Sequence, residues 1–279
     1  KRDIVDAVLC VENGDTDDPA FEYAVLDTPD AVLGSSKSCY YPVALSEVLR
    51  RVLSEDRRYA VVGLPCALKG IQKAALRSTA IRERMHVYVG LTCGHQKNRG
   101  FAEYLCSKKG EGDHAISFRE KELGTPPYRF VFSCCHGKVR EWASRAFERG
   151  WFKIDACNYC DDVFAECADV AFMDAWLPGY LEDSRGTSLL ISRNALVTSL
   201  FDGAAPDLCV ERIEVDEVIQ SQAAVVMNKR EKLRKRLGVR GGRDALHKRV
   251  SPCTCGWWEA CSLKLNSVTL RISKELWVV

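Results

Sequence analysis

Two cysteines three residues apart, Cys157 and Cys160, are the side chains whose type and spacing point most directly to chemistry. They open the stretch CNYCDDVFAECADVAFMDAW, whose pattern predicts a turn, a helix at Val163–Ala168 and a strand at Val170–Asp174. Two thiolates at this spacing can reach one metal centre from a single turn. A complete site needs two further soft ligands from elsewhere in the chain.

Cys66 and Cys93 are the candidates for those two ligands. Each follows a predicted buried strand, Tyr59–Val62 for the first and Val87–Leu91 for the second, and each precedes a predicted helix. Successive strand-turn-helix units form parallel strands whose carboxyl ends lie at one edge of a sheet, where ligands collect. We therefore expect Cys66 and Cys93 to lie at the same edge.

The fourteen cysteines of the chain indicate a reduced protein and not a disulfide scaffold. The chain has 279 residues and is 47% apolar, which is enough for a large core in one domain or in two unequal ones. Cys10, Cys106, Cys167 and Cys209 lie in apolar segments, where cysteine acts as a small hydrophobic residue. A CxxC pair with single cysteines at strand ends favours a metal or iron-sulfur centre in a reduced compartment, and we expect a cytoplasmic protein.

The order of predicted elements favours an α/β (mixed α+β) fold. Its main feature is a partly parallel sheet built from strand-turn-helix units. An antiparallel insertion is predicted from strands at Ala115–Arg119 and Tyr128–Cys134 and a hairpin turn at Cys135–Lys138. The other predicted elements are strands at Ile4–Val11 and Ser188–Ser192 and helices at Val43–Leu53, Ala67–Leu76, Phe101–Ser107 and Ala195–Phe201.

A long C-terminal helix completes the prediction. Asp216 is the expected N-cap, and the helical pattern runs to about Leu237. Residues 1–240 are predicted to form the core and residues 241–279 a C-terminal extension. Because the sequence runs at once into a strand-like segment, we expect the chain to be the later part of a longer protein.

The charge pattern gives little indication of a charged partner. The formal net charge is +2, and basic residues heavily outnumber acidic ones from Lys229 to Arg249. That segment is either a solvated helix face or a binding patch for a polyanion. Since aromatic residues are not interleaved there, no nucleic-acid partner is expected. No signal peptide and no apolar run of membrane length are present, so no membrane span is expected.

Five motifs occur in an order that resembles the coenzyme F420 hydrogenase/dehydrogenase beta-subunit family. They are VVGLPCALKGIQKA, YVGLTCGH, ISFREK, CNYCDDVFAECADVAFMDAW and GTSLLISR, within a match from about Ile4 to Leu237. The resemblance implies an iron-sulfur flavoprotein oxidoreductase that binds FAD and a 4Fe-4S cluster and exchanges a hydride with coenzyme F420 or a similar carrier. It also implies a redox partner protein or subunit that carries further iron-sulfur centres. The amino-terminal ferredoxin-like segment of many relatives is not in this sequence.

The resemblance also implies roles for particular residues. It makes Cys66, Cys93, Cys157 and Cys160 the ligands of the cluster, the same set that the spacing and the strand ends suggest. FAD is expected at the strand ends, with its pyrophosphate near the turn Gly63–Pro65 or at a neighbouring helix N-terminus. The residues predicted to contact the flavin cofactor are Gly63, Leu64, Pro65, Arg119, Lys121, Asp174, Thr187 and Ser188.

Other interpretations of the same residues stay open. Four thiolates bind zinc as well as iron, so a zinc-stabilised binding module is one alternative. A second alternative is a non-catalytic electron-transfer or scaffold subunit with a cluster but no flavin. Cys253, Cys255 and Cys261 are either a second metal half-site or a cluster with no specific role. His95 is either a proton donor or cluster neighbour, or a surface histidine.

Overall fold

The computed structural model describes residues 4–14, 20–107, 116–120, 131–134, 137–138, 145–202, 209–231, 233 and 268–273. The strands are β1 Ala7–Asn13, β2 Phe21–Leu26, β3 Tyr59–Gly63, β4 Met85–Leu91, β5 Ile116–Glu120, β6 Val131–Cys134, β7 Gly137–Lys138, β8 Val170–Asp174, β9 Thr187–Ser192, β10 Cys209–Ile213 and β11 Val268–Ser273. The α-helices are α1 Pro29–Gly34, α2 Ser46–Ser54, α3 Pro65–Ala75, α4 Thr79–Arg84, α5 Gly100–Ser107, α6 Ala195–Asp202, α7 Val215–Ser221 and α8 Ala223–Val226. The described residues also include two 3-10 turns, Asp155–Tyr159 and Pro178–Tyr180, and one π-helical turn, Met227–Glu231.

An eight-stranded sheet forms the centre of the fold, in the order β10-β11-β9-β8-β4-β3-β1-β2. The four neighbouring strands β8, β4, β3 and β1 are parallel, and the remaining pairings are antiparallel. A separate antiparallel sheet contains β5, β6 and β7. The predicted fold class is therefore confirmed, including the antiparallel insertion.

The parallel strands form because their residues are apolar and because helices cover them. Every residue of β3 is buried, as expected of a strand with both faces covered. In α3, Pro65 occupies the first turn, where its missing N–H costs nothing, and Leu68 and Ile71 face the core. These two side chains pack with Val61 in the main hydrophobic core.

A second core lies under the small sheet and is called the aromatic core here. Its rings are Phe21, Tyr41, Phe101, Phe118 and Phe132. Edge-to-face and tilted contacts connect them, with centroid separations of 5.6 Å for the pair Phe21 and Phe118 and 5.9 Å for the pair Phe118 and Phe132. The aromatic core joins α5 and the small sheet to the rest of the chain.

The predicted helix at Val163–Ala168 is wrong, because this segment forms turns. Ala165 has a left-handed φ of 48°, which a helix excludes. The carbonyl oxygens of Ala165 and Ala168 accept hydrogen bonds from the Arg193 guanidinium, both at 3.2 Å. Tertiary contacts therefore replace the helical hydrogen bonds in this segment.

The predicted C-terminal helix is present as a helical segment from Val215 to Glu231, and it is interrupted at Gln222, whose φ of −110° and ψ of 17° are not helical. Its N-cap is Glu214, which forms a capping box with Glu217, and not Asp216 as predicted. Leu237 lies outside the described residues. Strand β2 and helices α1 and α4 are further elements without a counterpart in the sequence prediction.

The boundary at residue 240 between core and extension stays a prediction, although β11 pairs with both β9 and β10 of the large sheet. Cys253, Cys255 and Cys261 lie outside the part of the chain that the structure describes. In the described part, no helix has the length and apolarity that a membrane crossing requires.

Candidate metal and cofactor site

The four predicted ligands, Cys66, Cys93, Cys157 and Cys160, are called the thiol edge here. Cys66 lies in the first turn of α3, directly after β3, and Cys93 lies two residues after β4. Since β3 and β4 are parallel neighbours, both residues lie at the carboxyl edge of the sheet. Cys157 and Cys160 lie in and directly after a 3-10 turn. All four have free thiols.

Backbone hydrogen bonds bring the CxxC turn to the Cys93 turn. The N–H of Ile154 donates to the Gln96 carbonyl oxygen at 3.0 Å, and the N–H of Asn98 donates to the Phe152 carbonyl oxygen at 2.7 Å. The N–H of Cys93 itself donates to the Val163 carbonyl oxygen at 3.0 Å. Cys93 therefore lies between the segment that precedes the CxxC pair and the segment that follows it.

The thiols of the thiol edge are close enough to influence one another's ionisation. Burial raises the pKa of Cys93 to about 12, Lys229 opposes this rise, and the other three cysteines add to it. Burial also raises the pKa of Cys66, with further increases from Cys157 and Cys160. Metal binding at these residues must therefore displace thiol protons.

Three of the four sulfur atoms face N–H donors. No side chain caps the N-terminus of α3, and the backbone N–H of Ala67 in its first turn acts to lower the pKa of the Cys66 thiol, against the effect of burial. The N–H of Gln96 donates to Cys157 Sγ at 3.3 Å, and Lys229 Nζ donates to Cys160 Sγ at 3.4 Å. N–H donors of this kind stabilise negative charge on sulfur. The donor set fits a site for metal-bound thiolates.

A single metal ion requires all of its ligand atoms to lie within bonding distance of one point. Within the described ranges, no three side chains of histidine, cysteine, aspartate or glutamate are arranged to hold one metal ion. The four predicted cysteines are free thiols that influence one another's ionisation, while their role as ligands stays a prediction.

The loop after the CxxC pair is held by close packing on β4. A Cβ atom added at Gly90 would lie 2.4 Å from the Cβ of Ala165 and 2.8 Å from the Cβ of Ala168, so glycine is required there. In the same loop, Asp162 is buried, and its Oδ1 accepts the N–H of Glu166 at 3.1 Å. Its Oδ2 lies 3.5 Å from Lys69 Nζ.

Lys229 is the main site residue that the sequence did not single out. Its side chain is 7% exposed and also donates to the Asp162 carbonyl oxygen at 2.6 Å. The sequence showed it only as the first residue of the basic segment. No local pattern distinguishes it from its neighbours, since its inward direction depends on the π-helical turn that contains it.

The predicted flavin contacts begin at the turn after β3. Gly63 packs closely against Tyr23, because an added Cβ would lie 3.0 Å from the tyrosine hydroxyl oxygen. That hydroxyl donates to the Val62 carbonyl oxygen at 3.2 Å. Leu64 is the N-cap residue of α3, and Pro65 is buried in its first turn. These three residues form a fixed turn beside Cys66.

Arg119 and Asp174 were predicted separately, and the structure joins them in an ion pair at 2.8 Å. Arg119 has a φ of 55° at an irregularity in the pairing of β5 with β6, which turns its side chain out of the small sheet. The guanidinium lies 5.9 Å from the ring centroid of Trp176 and hydrogen-bonds to the Tyr40 hydroxyl. The pair connects the small sheet to the carboxyl end of β8.

Of the other three predicted flavin contacts, one lies beside Asp174 and one is engaged in its own loop. Ser188 lies opposite Asp174 in the pairing of β8 with β9. The Thr187 hydroxyl donates to Asp183 Oδ2 at 3.0 Å, so it is already engaged within its own loop. Lys121 lies outside the described residues. The structure therefore brings Arg119, Asp174 and Ser188 together.

His95 packs against Phe147, with ring centroids 5.0 Å apart. Burial and the nearby lysines Lys97, Lys153 and Lys229 lower the pKa of His95 to about 4. The imidazole is therefore neutral at pH 7. The surface position considered for it does not apply, since the residue is half-buried and its ring packs against Phe147.

A charged groove lies at the opposite, amino end of the strands and far from the cysteines in the sheet. It is lined by Asp6, Asp56, Arg57, Arg58, Thr79, Ala80, Glu83 and Arg84. It contains two ion pairs, of Arg58 with Asp6 at 2.6 Å and of Arg84 with Asp56 at 3.5 Å. Solvated ion pairs of this kind offer no chemistry comparable to that of the thiol edge.

Comparison with protein-family models gives two matches along this chain. The model of the beta-subunit N-terminal region of coenzyme F420 hydrogenase/dehydrogenase matches residues 1–50, and the model of the C-terminal region of that subunit matches residues 56–218. The second range contains all four cysteines of the thiol edge and all predicted flavin contacts. A comparison with curated protein sequences gives no match.

One similar solved structure is a chain of the F420-reducing NiFe hydrogenase complex from Methanosarcina barkeri, in a xenon-derivatised form. The TM-score is 0.58 at 14% sequence identity, and the similarity covers 84% of this chain and 80% of the other. At this identity the similarity shows a shared fold.

Proposed function

This chain belongs to the coenzyme F420 hydrogenase/dehydrogenase beta-subunit family, and on that basis we propose that it is an F420-linked oxidoreductase subunit. In this proposal the thiol edge binds a 4Fe-4S cluster and FAD lies beside it. When bound, these groups supply the conversion between the two-electron transfer of a hydride and the one-electron transfers of iron-sulfur centres.

One observation carries the proposal. Four free thiols, distant in the sequence, influence one another's ionisation at the carboxyl edge of the parallel strands, and three of them face N–H donors. Thiolates are the ligands that iron-sulfur clusters use. The same edge of a parallel sheet is where cofactors of α/β proteins bind.

The protein's own residues have distinct tasks in this proposal. The cysteines hold the iron, and the N–H groups of Ala67 and Gln96 stabilise negative charge on two of the sulfurs. The turn Gly63–Pro65 and the group formed by Arg119, Asp174 and Ser188 flank the thiol edge on β3 and on β8. We assign the flavin to these residues, since they offer a helix N-terminus and an ion pair next to the cluster ligands.

The proposed subunit passes electrons to a partner protein that carries further iron-sulfur centres. The fold neighbour is part of a hydrogenase complex, which supports a role within an assembly. Free thiols throughout the described residues support a reduced compartment such as the cytoplasm.

Metal and flavin analysis of anaerobically purified protein tests the proposal. We expect a brown protein with about four irons and four sulfides per chain, bound FAD, and visible absorbance that dithionite bleaches. Colourless protein that contains zinc would overturn the proposal in favour of a zinc-stabilised module. Iron without FAD would select an electron-transfer subunit that lacks the flavin.

A second measurement addresses the hydride carrier. Protein loaded with iron and FAD is mixed with reduced coenzyme F420 and a one-electron acceptor. Oxidation of one F420 molecule should reduce two equivalents of the acceptor and release two protons. Loaded protein that oxidises a nicotinamide cofactor and leaves F420 unchanged would overturn the link to F420.

A further inference from the structure

Lys229 is a buried cation that contacts the thiol edge directly. With 7% of the residue exposed, its Nζ donates to Cys160 Sγ at 3.4 Å and to the Asp162 carbonyl oxygen at 2.6 Å. Neither acceptor is a carboxylate, so these two contacts do not pair the ammonium group with an acidic side chain. A cation in such a position suits a neighbour that becomes negative.

The helical segment that carries Lys229 is anchored at two points on the carboxyl edge. At the first, Ser221 Oγ and Gln222 Nε2 donate to the carbonyl oxygen of Asp174, the last residue of β8, at 3.1 and 2.8 Å. At the second, Val225 packs on the turn after Cys93, since a Cβ added at Gly94 would lie 3.7 Å from Val225 Cγ1. The segment therefore has a fixed position over the thiol edge.

The π-helical turn Met227–Glu231 then sets the direction of the lysine side chain. A π-helical turn contains more residues than an α-helical turn, so it rotates the residues within it relative to the preceding helix. Such turns occur frequently at functional sites. Here the turn directs Lys229 toward Cys160, while the next residue, Arg230, is 46% exposed and lies 3.8 Å from Glu166.

Lys229 is one of two lysines near the loop that follows the CxxC pair. Lys69, the other lysine near this loop, faces the carboxylate of Asp162 at 3.5 Å, so its charge is balanced there. Among the contacts described, Lys229 is therefore the cation directed at sulfur.

We propose that Lys229 is a positioning residue that holds the Cys160 sulfur and raises the reduction potential of the cluster bound at the thiol edge. This inference rests on the proposed function. A cluster with four thiolate ligands is anionic, and it gains one more negative charge when it accepts one electron. A nearby cation and an N–H···S hydrogen bond stabilise the reduced form more than the oxidised form.

Variants of two adjacent residues test this inference. Lys229→Gln removes the charge and keeps a polar side chain, and Lys229→Arg keeps the charge. Arg230→Gln is the matched control, since it removes one positive charge from the same turn at an exposed position. Iron and sulfide content are measured first. The cluster is then titrated with dithionite, and the reduced fraction is followed by electron paramagnetic resonance at a series of fixed potentials.

We expect Lys229→Gln to hold its cluster at a more negative potential. At a potential where half of the parent clusters are reduced, the ratio of reduced to oxidised cluster should fall about tenfold, which is about 59 mV for a one-electron couple. Lys229→Arg and Arg230→Gln should stay near the parent. A parent potential in Lys229→Gln, or an equal shift in Arg230→Gln, would refute the role of Lys229.

The outcomes separate this inference from the proposed function. If the parent binds a cluster and Lys229→Gln does not change its potential, the proposed function stands and the inference fails. If the parent binds no iron, both fail. If Lys229→Gln loses its iron or its fold, retention of a cluster by Lys229→Arg supports the role of the charge, and loss of the cluster in that variant as well refutes it.

Discussion

The thiol edge and the aromatic core each enclose one buried lysine, and the surroundings of the two ammonium groups differ. Lys97 in the aromatic core is fully buried and donates to the carbonyl oxygens of Trp151 and Ala146 at 2.8 and 3.3 Å. It also lies 4.7 Å from the ring centroid of Phe147. Lys229 at the thiol edge instead donates to one thiol sulfur and one carbonyl oxygen.

This difference distinguishes a structural cation from a functional one. Carbonyl oxygens and ring faces keep the same charge under all conditions, so Lys97 has a structural role, in which it ties the segment before α5 to residues 146–151. A thiol loses its proton when it binds metal, so the partner of Lys229 changes its charge with the state of the site. Burial alone therefore does not identify a functional lysine, whereas the chemistry of its acceptors does.

The largest expected effect comes from removing a sulfur of the thiol edge. Cys93→Ser should lose nearly all bound iron and the visible absorbance, since a hydroxyl is a poor substitute for thiolate at iron. Cys209→Ser is the matched control, because Cys209 is exposed on β10 and should be dispensable. Metal content and absorbance of anaerobically purified variants measure the effect. Equal iron content in both variants would contradict the prediction that Cys93 binds iron and Cys209 does not.

Lys97 should make the free energy of unfolding depend on pH. Burial, with a smaller contribution from Lys153, lowers the pKa of Lys97 from 10.5 to about 8. Between these two pH values the unfolded chain binds more protons than the folded chain, so the free energy of unfolding rises with pH. Relative to Lys97→Met, the parent should gain about 2–3 kcal/mol across this window.

Urea unfolding of the parent and of Lys97→Met at several pH values measures that gain, and the difference cancels the titration of the cysteines. Parallel curves for the two proteins would mean that the surroundings of Lys97 do not disfavour its charge. Cluster content and potential should be the same in both, in contrast to the Lys229 variants.

A pair of glycine variants tests how the thiol edge is held. Gly90→Ala should lower the free energy of unfolding by about 2 kcal/mol, because its Cβ would collide with Ala165 on the loop after the CxxC pair. Gly70→Ala makes the same chemical change in α3. The added Cβ would meet no atom outside its own helix within 4 Å, so this variant should raise the free energy of unfolding by about 0.5–1 kcal/mol. Urea unfolding compares them, and a change of the same sign in both would contradict the packing described for β4.

The smallest effect concerns the ion pair that joins the two regions. Asp174→Asn removes the carboxylate from Arg119 and should cost about 1.5 kcal/mol of unfolding free energy, since this pair is mostly shielded from solvent. Asp56→Asn removes the partner of Arg84 at a side chain that is 98% exposed, and should change stability by less than about 0.5 kcal/mol. Equal losses in thermal unfolding would show that the pair contributes no more than a surface contact.

The sequence predicted the parallel strands, the small antiparallel sheet and the family, all of which are confirmed. Apolar runs such as Tyr59–Val62 carry this information locally, because a strand buried on both faces has a continuous apolar pattern. The helix at Val163–Ala168 failed for a physical reason. Its apolar spacing suits a helix, yet contacts with Gly90 and Arg193 fix Ala165 in a left-handed conformation.

The amino-acid sequence by itself determined which residues could bind metal, since residue type and strand-end position are local properties. The sequence also indicated Arg119 and Asp174 as flavin contacts, but it did not indicate that the two form an ion pair. Only the tertiary structure decided that the four thiols lie together with Lys229 and that Lys97 lies elsewhere. The reason is that these contacts join distant segments, as Lys229 and Cys160 show at 69 residues apart, and a break at Gln222 and a π-helical turn direct the lysine inward. No pattern within a single segment specifies that geometry.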